Sequence, residues 1–213
     1  MSLSPQELAA GLLAKGAVKL SPDAPFTWSS GMKAPIYCDN RQLLGDPELR
    51  SRIAEILAAA CKPFAPTMVA GTSTAGIPWG MLVADRLQLP FAYVRPEPKK
   101  HGMGRQVEGP SAKGHRVVLI EDLISTGGSS LKCVEALRAE GAEVEAVLAL
   151  FSYGLPAGIE AFQKANTKLL TLATFENLVE EARRNNAVDE TGAASLKAWQ
   201  KDASAWSKAM GGA

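Results

Sequence analysis

The chain predicts an α/β fold, a mainly parallel sheet flanked by helices with a small irregular segment ahead of it. Three observations predict this. Short apolar runs at 67–70, 91–94, 117–120, 144–150 and 168–173 have the length and polar boundaries of buried strands. Segments of helical spacing at 77–87, 131–138 and 156–165 fall between them, and such alternation builds a parallel sheet covered on both faces. The length of 213 residues, with 46% hydrophobic and 21% charged, suits one domain or one with a small appendage. In such folds the ligand lies outside the carboxyl ends of the strands.

The elements follow in order. Ser4, Pro5 and Glu7 form a helix start, with Ser4 as N-cap and Glu7 closing a capping box. Leu8, Leu12 and Leu13 supply its apolar face and Gly16 its end. Residues 26–41 mix aromatics with Lys33, Asp39, Asn40 and Arg41 and read as irregular or hairpin-like. Asp46-Pro47 opens a second helix, with Leu49, Ile53, Ile56 and Leu57 at helical spacing. The turn 71–76, Gly-Thr-Ser-Thr-Ala-Gly, follows the first strand; a turn of this kind can present N–H groups to a diphosphate. Residues 95–115 carry Arg95, Lys99, Lys100, Arg105 and Lys113, both histidines, four glycines and three prolines, without helical or strand periodicity. A long cationic, glycine-hinged loop reads as a lid over a polyanion. Helices are expected at 175–185 and 194–210, where Trp199 and Trp206, seven apart, share a packing face.

The chemistry concentrates in 117–130, Val-Val-Leu-Ile-Glu-Asp-Leu-Ile-Ser-Thr-Gly-Gly-Ser-Ser. Four apolar residues form the strand, Glu121 and Asp122 stand at its expected end, and a helix follows the small-residue turn. A helix start offers unpaired N–H donors and partial positive charge to a phosphate. Gly127 and Gly128 permit positive φ and close backbone approach, while Ser125, Thr126 and Ser129 add hydroxyl donors. The two carboxylates would repel that phosphate, so they should face sugar hydroxyls or a metal-bound ligand. Phosphate at one end and hydroxyls at the other describe a ribose 5-phosphate. No Gly-x4-Gly-Lys-Ser/Thr loop and no Gly-x-Gly-x-x-Gly between strand and helix is present.

Composition excludes other classes. A net charge of +1 gives no general case for nucleic acid or an anionic membrane as partner. Residues 1–11 lack a basic segment before an apolar core, and no apolar run approaches a membrane span, so a cytoplasmic protein is expected. Cys38, Cys61 and Cys133 are odd in number and widely spaced, and only His101 and His115 accompany them. They read as reduced thiols with no protein metal site.

The 117–130 stretch resembles the phosphoribosyl-diphosphate (PRPP) signature of type I phosphoribosyltransferases, and its wording, Glu-Asp-Leu-Ile-Ser-Thr-Gly-Gly-Ser, is similar to that of the orotate-using members. The resemblance implies the type I phosphoribosyltransferase fold, with residues 1–45 as N-terminal helix and hood over the base, 46–175 as the PRPP-binding core and 176–213 as C-terminal helices. It implies transfer of ribose 5-phosphate from PRPP to orotate with Mg²⁺, giving orotidine 5′-phosphate and diphosphate. It implies that Arg95, Lys99, His101, Glu121, Asp122, Leu123, Ile124 and 125–129 bind PRPP. Lys99, His101 and Asp122 would carry the catalytic charge, and Ser125 and Lys33 would touch orotate. It also implies a homodimer whose 95–115 loop acts on the neighbouring site. Ser29, Ala75 and Pro96 stand where many members carry lysine, and Tyr153 near where some carry arginine, so basicity is thinner here. Lys33, Arg41 and backbone N–H groups stay open as partners of the orotate carboxylate. A purine or uracil phosphoribosyltransferase would share the signature but lack the 26–41 hood. A non-catalytic RNA-binding regulator would need a basic face, which the net charge disfavours.

Overall fold

The computed structural model describes residues 3–28, 30–97 and 105–212. Helix α1 (Pro5–Ala14) opens on the expected capping box: the Glu7 N–H donates to Ser4 Oγ at 3.2 Å and the Ser4 N–H to Glu7 Oε2 at 2.7 Å. The hood segment forms four short strands, β1 (Val18–Leu20), β2 (Phe26–Thr27), β3 (Lys33–Ala34) and β4 (Ile36–Cys38). They make two separate antiparallel ribbons, β1 with β4 and β2 with β3. A 3₁₀ turn, Asn40–Gly45, leads into α2 (Pro47–Cys61), whose N-cap Asp46 accepts from the N–H groups of Glu48 and Leu49.

The core then alternates: β5 (Met68–Thr72), α3 (Gly76–Leu87), β6 (Phe91–Val94), β7 (Val107–Glu108), β8 (Arg116–Ile124), α4 (Gly128–Ala139), β9 (Glu143–Ser152), α5 (Pro156–Lys164) and β10 (Leu169–Thr174). Helices α6 (Phe175–Arg184), α7 (Glu190–Lys201) and α8 (Ala203–Ala209) close the chain. The six strands lie in the order β10-β9-β8-β5-β6-β7, parallel except for β6 with β7. Period-2 alternation along β8 divides the core. Val118 and Ile120 pack with Trp79, Leu57 and Phe175 on one face, and Val117 and Leu119 with Val134, Leu137 and Phe162 on the other.

Three expectations change. Strand β8 does not end at its carboxylates but runs on to Ile124, because β9 extends equally far and pairs Leu123 with Phe151 and Ile124 with Ser152. The 95–115 stretch is not wholly irregular. Arg95 and Gln106 within it pair beside β6 and β7: the Arg95 N–H donates to the Gln106 carbonyl at 2.9 Å and Gln106 Nε2 to the Arg95 carbonyl at 3.1 Å. The two residues of β7 are too few to show a period. The single helix expected over 194–210 breaks at Asp202, whose backbone leaves the helical region and whose carboxylate caps α8 through the Ala205 N–H at 2.9 Å. Trp199 and Trp206 therefore belong to different helices. Both still pack, Trp199 fully buried and Trp206 donating from its indole N–H to Ser195 Oγ at 3.3 Å.

Close backbone approach fixes where α3 begins. A Cβ on Gly76 would come within 2.5 Å of the Ile120 carbonyl oxygen, so the β5–α3 turn lies directly against β8. Gly76→Ala is expected to lower unfolding stability in urea by about 1–3 kcal/mol, since a backbone oxygen cannot yield as a side chain would. Gly45→Ala, where a Cβ meets nothing within 4 Å, should stay within about 0.5 kcal/mol. Equal effects at the two positions would contradict this packing.

Candidate active site

The helix starts divide into two kinds. Ser4, Asp46, Thr174, Asp189 and Asp202 cap α1, α2, α6, α7 and α8 with side-chain oxygens. Among the described residues, α3, α4 and α5 begin without such a cap. These three follow β5, β8 and β9 at the carboxyl end of the parallel sheet. Helix α5 has Pro156 in its first turn, which removes a donor. Helices α3 and α4 keep their first-turn donors without a side-chain cap, the Ile77 N–H of α3 turning back to the Thr74 carbonyl at 3.3 Å.

The turn before α4 is shaped by close packing. Gly127 sits at φ 77°, and a Cβ there would meet the Phe162 ring at 2.6 Å, so only glycine fits. Thr126, Gly128 and Ser129 are exposed and Ser125 is half-buried. From behind, Gly158 of α5 approaches so closely that its Cβ would lie 2.6 Å from the Ser125 carbonyl oxygen. Gly158 and Phe162 thus shape the turn from a distant helix, and only the spacing inside 125–129 was legible in the sequence.

The two carboxyls share a hydrogen bond but differ in their outer partners. Glu121 is 5% exposed, accepts from Ser130 Oγ at 2.8 Å and from the Asp122 N–H at 3.1 Å, and so faces α4. Asp122 is half-buried, and its charge reaches Arg41 and Cys38 on the hood side and Tyr153 beyond β9. Burial pushes the Glu121 carboxyl up from the ordinary range, and the charge of Asp122 adds to the rise. Burial likewise raises Asp122, with the Glu121 hydrogen bond and the Arg41 charge opposing. Leu123 and Ile124, predicted beside them, serve as strand residues: Leu123 lines the cavity and Ile124 is buried.

Above this end of the sheet lies a cavity of about 640 Å³. The hood supplies Thr27, Trp28, Ser30, Met32, Tyr37 and Cys38, and the core Leu123, Ser125, Thr126 and Tyr153. Trp28 stacks on Tyr153 with ring centres 5.8 Å apart, joining the two walls. Asn40, fully buried, donates from its amide to the Asp122 carbonyl at 2.7 Å and accepts from the Cys38 thiol at 3.2 Å. This latch of hood to β8 had no sequence signal beyond a polar residue in a hood-like stretch.

Cations surround the cavity rather than line it. Lys33 donates from Nζ to Thr27 Oγ1 at 2.8 Å, one residue away from the cavity wall. Arg41 is held by Asp39, Nε to Oδ1 at 2.5 Å. Arg95 stands just beyond β6 with its Nε buried and unpartnered among the described residues. Lys99, His101 and Ser29 lie outside the described residues. The described residues hold no group of three or more potential metal-ligating side chains.

A model of the phosphoribosyl transferase domain matches residues 41–170. An orotate phosphoribosyltransferase of Listeria innocua is 51% identical over 205 residues, covering 95% of this chain and 98% of that protein. Another from Bacillus caldolyticus is 48% identical over 94% of this chain and 98% of its own. Among solved structures, the orotate phosphoribosyltransferase of Aeropyrum pernix superposes with a TM-score of 0.74 at 36% identity, covering 85% of this chain and 99% of that one. The UMP synthase of Leishmania donovani matches at a TM-score of 0.77 and 28% identity, covering 92% of this chain and 42% of that longer one.

The raised Glu121 carboxyl has a stability consequence. Between its ordinary value near 4.5 and its raised folded value, the native state holds more protons than the unfolded chain, so stability falls as pH rises through that window. Glu121→Gln cannot ionise, and its stability measured by urea unfolding is expected to gain on the parent protein from pH 5 to pH 8. A gap between the two that stays constant with pH would contradict the burial of this group.

Proposed function

The chain belongs to the phosphoribosyl transferase family and, within it, to the orotate-using phosphoribosyltransferases; from that premise we propose how its residues divide the work. The reaction joins the orotate ring nitrogen to the anomeric carbon of PRPP while the bond from that carbon to diphosphate breaks, yielding orotidine 5′-phosphate. Such a transfer needs no covalent protein intermediate, so the protein contributes position and charge. The observation that carries the assignment of roles is a cavity roofed by aromatic hood residues and floored by Leu123, Ser125 and Thr126, between the buried carboxyl pair of β8 and the uncapped start of α4.

In this reading the 5′-phosphate sits on the 125–129 turn, taking the free N–H groups of α4 and the hydroxyls of Ser125, Thr126 and Ser129. Asp122, turned toward the hood, grips the ribose hydroxyls, and its negative charge favours the positive character that develops at the anomeric carbon. Glu121, held by Ser130 and hydrogen-bonded to Asp122, supports it from the α4 side. The diphosphate lies toward the 73–75 turn and Arg95, whose buried and unpartnered Nε supports that role. Lys99 and His101 would meet the departing charge from the loop. Ser125 and Lys33 are assigned to orotate, Lys33 because its ammonium already rests on a cavity residue.

Mg²⁺ fits this donor set. It takes one or two carboxylates beside substrate phosphates and water, and two adjacent carboxyls raised by burial would be relieved by a cation. Asp122, with Glu121 behind it, would hold the ion on the ribose side, and when bound it neutralises charge on the leaving diphosphate. The loop is read as acting across a homodimer interface, with the β6–β7 hairpin pinning its base. No helix among the described residues is long and apolar enough to cross a membrane, in keeping with a cytoplasmic enzyme.

The test is ultraviolet absorbance of orotate mixed with PRPP, Mg²⁺ and the protein, with uracil, adenine and guanine in parallel. Loss of the orotate band is expected only when PRPP and Mg²⁺ are both present, falling by about 10²-fold or more in Lys99→Ala if that side chain meets developing charge. Turnover of a different base would overturn the role of the hood, and an unaffected Lys99→Ala would remove the loop from the chemistry.

A further inference from the structure

The base cavity has two walls that share no sheet. The hood ribbon of β2 and β3 is separate from the six-stranded sheet that carries Leu123, Ser125 and Tyr153. The Trp28–Tyr153 stack and the Asn40 latch tie them directly, and a further tie comes from outside both. Helices α7 and α8 touch each wall with a directed hydrogen bond, although neither helix lines the cavity. On the core side, Gln200 Nε2 donates to the Tyr153 carbonyl at 2.8 Å. On the hood side, the Lys33 N–H donates to the fully buried Ser207 Oγ at 2.8 Å. Between these two bonds, Trp199 meets both walls edge-on, its ring centre 5.3 Å from that of Tyr153 and 5.9 Å from that of Trp28.

We propose that α7 and α8 form a clamp that sets the width of the base pocket, with Gln200 and Ser207 as its positioning residues. The break at Asp202 has a purpose here. By ending α7 and capping α8, Asp202 redirects the chain so that Ser207 arrives at β3 while Gln200 stays at Tyr153. The Gly212 backbone completes the hood contact, since a Cβ there would come within 2.8 Å of the Lys33 nitrogen. A planar base between the two walls is held only at the correct separation, so loosening either bond weakens base binding and leaves the phosphate turn of α4 untouched. This inference rests on the assignment of orotate to the cavity.

The experiment measures steady-state kinetics of the full chain and of Gln200→Ala and Ser207→Ala, varying each substrate in turn. Loss of one such hydrogen bond is expected to raise KM for orotate by about three- to tenfold while KM for PRPP moves less than about twofold. Ser207→Thr, which keeps the hydroxyl, should recover most of the orotate KM. Gln200 is partly exposed, so its variant keeps the test alive if Ser207→Ala does not fold. Parallel increases in both KM values, tracking thermal stability, or an orotate KM unchanged in both variants, would overturn the clamp. A parent protein that consumes no orotate would instead overturn the assignment of the cavity, and the clamp with it.

Discussion

The ligand end of this molecule depends on β8 remaining a strand beyond its own two carboxylates. The strand is central, with β5 on one side and β9 on the other, and the pairing with β9 continues to Ile124. That continuity carries Glu121 and Asp122 into a place where neither ionises freely, because burial penalises the charged form of each and their adjacency raises the penalty for Glu121. Ser130, the Asp122 N–H and the charge of Arg41 offset part of this. What remains is a buried carboxyl pair whose charged form is disfavoured, the kind of group that a polyol, a cation or a developing positive centre would satisfy.

The same strand delivers the phosphate end. Past Ile124 the chain turns through Gly127 in a left-handed conformation and starts α4 with its N-terminal donors uncapped. The peripheral helices α1, α2, α6, α7 and α8 satisfy their own first turns with Ser, Asp or Thr, as helices do when stability alone is at issue. The sheet-end helices α3 and α4 omit that device where a ligand can replace it. The proposed anion site coincides with these missing caps, and the glycines at 76, 127 and 158 let the surrounding backbone approach closely.

Much of this was legible in the sequence because it is local. The capping box at Ser4, the Asp46-Pro47 start and the alternation of strand and helix each follow from a few neighbouring residues and were found where expected, while the small-residue turn is shorter than expected because α4 already begins at Gly128. The extension of β8 was not legible, since it depends on the length of β9, whose partner residues lie about 28 positions away. The break at Asp202 was masked by a helical pattern of apolar residues on both sides. Asn40, Gly158, Gln200 and Ser207 are ordinary residues in sequence, and their significance comes from partners 82, 33, 47 and 174 positions away. The assignment of family came from the signature wording and agrees with relatives near 50% identity over nearly the whole chain.

The central claim is that one strand-turn-helix unit orients a ribose 5-phosphate beneath an aromatic hood. A crystal structure of the protein with orotidine 5′-phosphate tests it most directly. The account predicts the phosphate on the N–H groups of the 125–129 turn, the ribose hydroxyls at Asp122, and the pyrimidine ring in the cavity bounded by Tyr37 and Tyr153. A nucleotide bound with its phosphate elsewhere, or with its ring outside the hood, would contradict it.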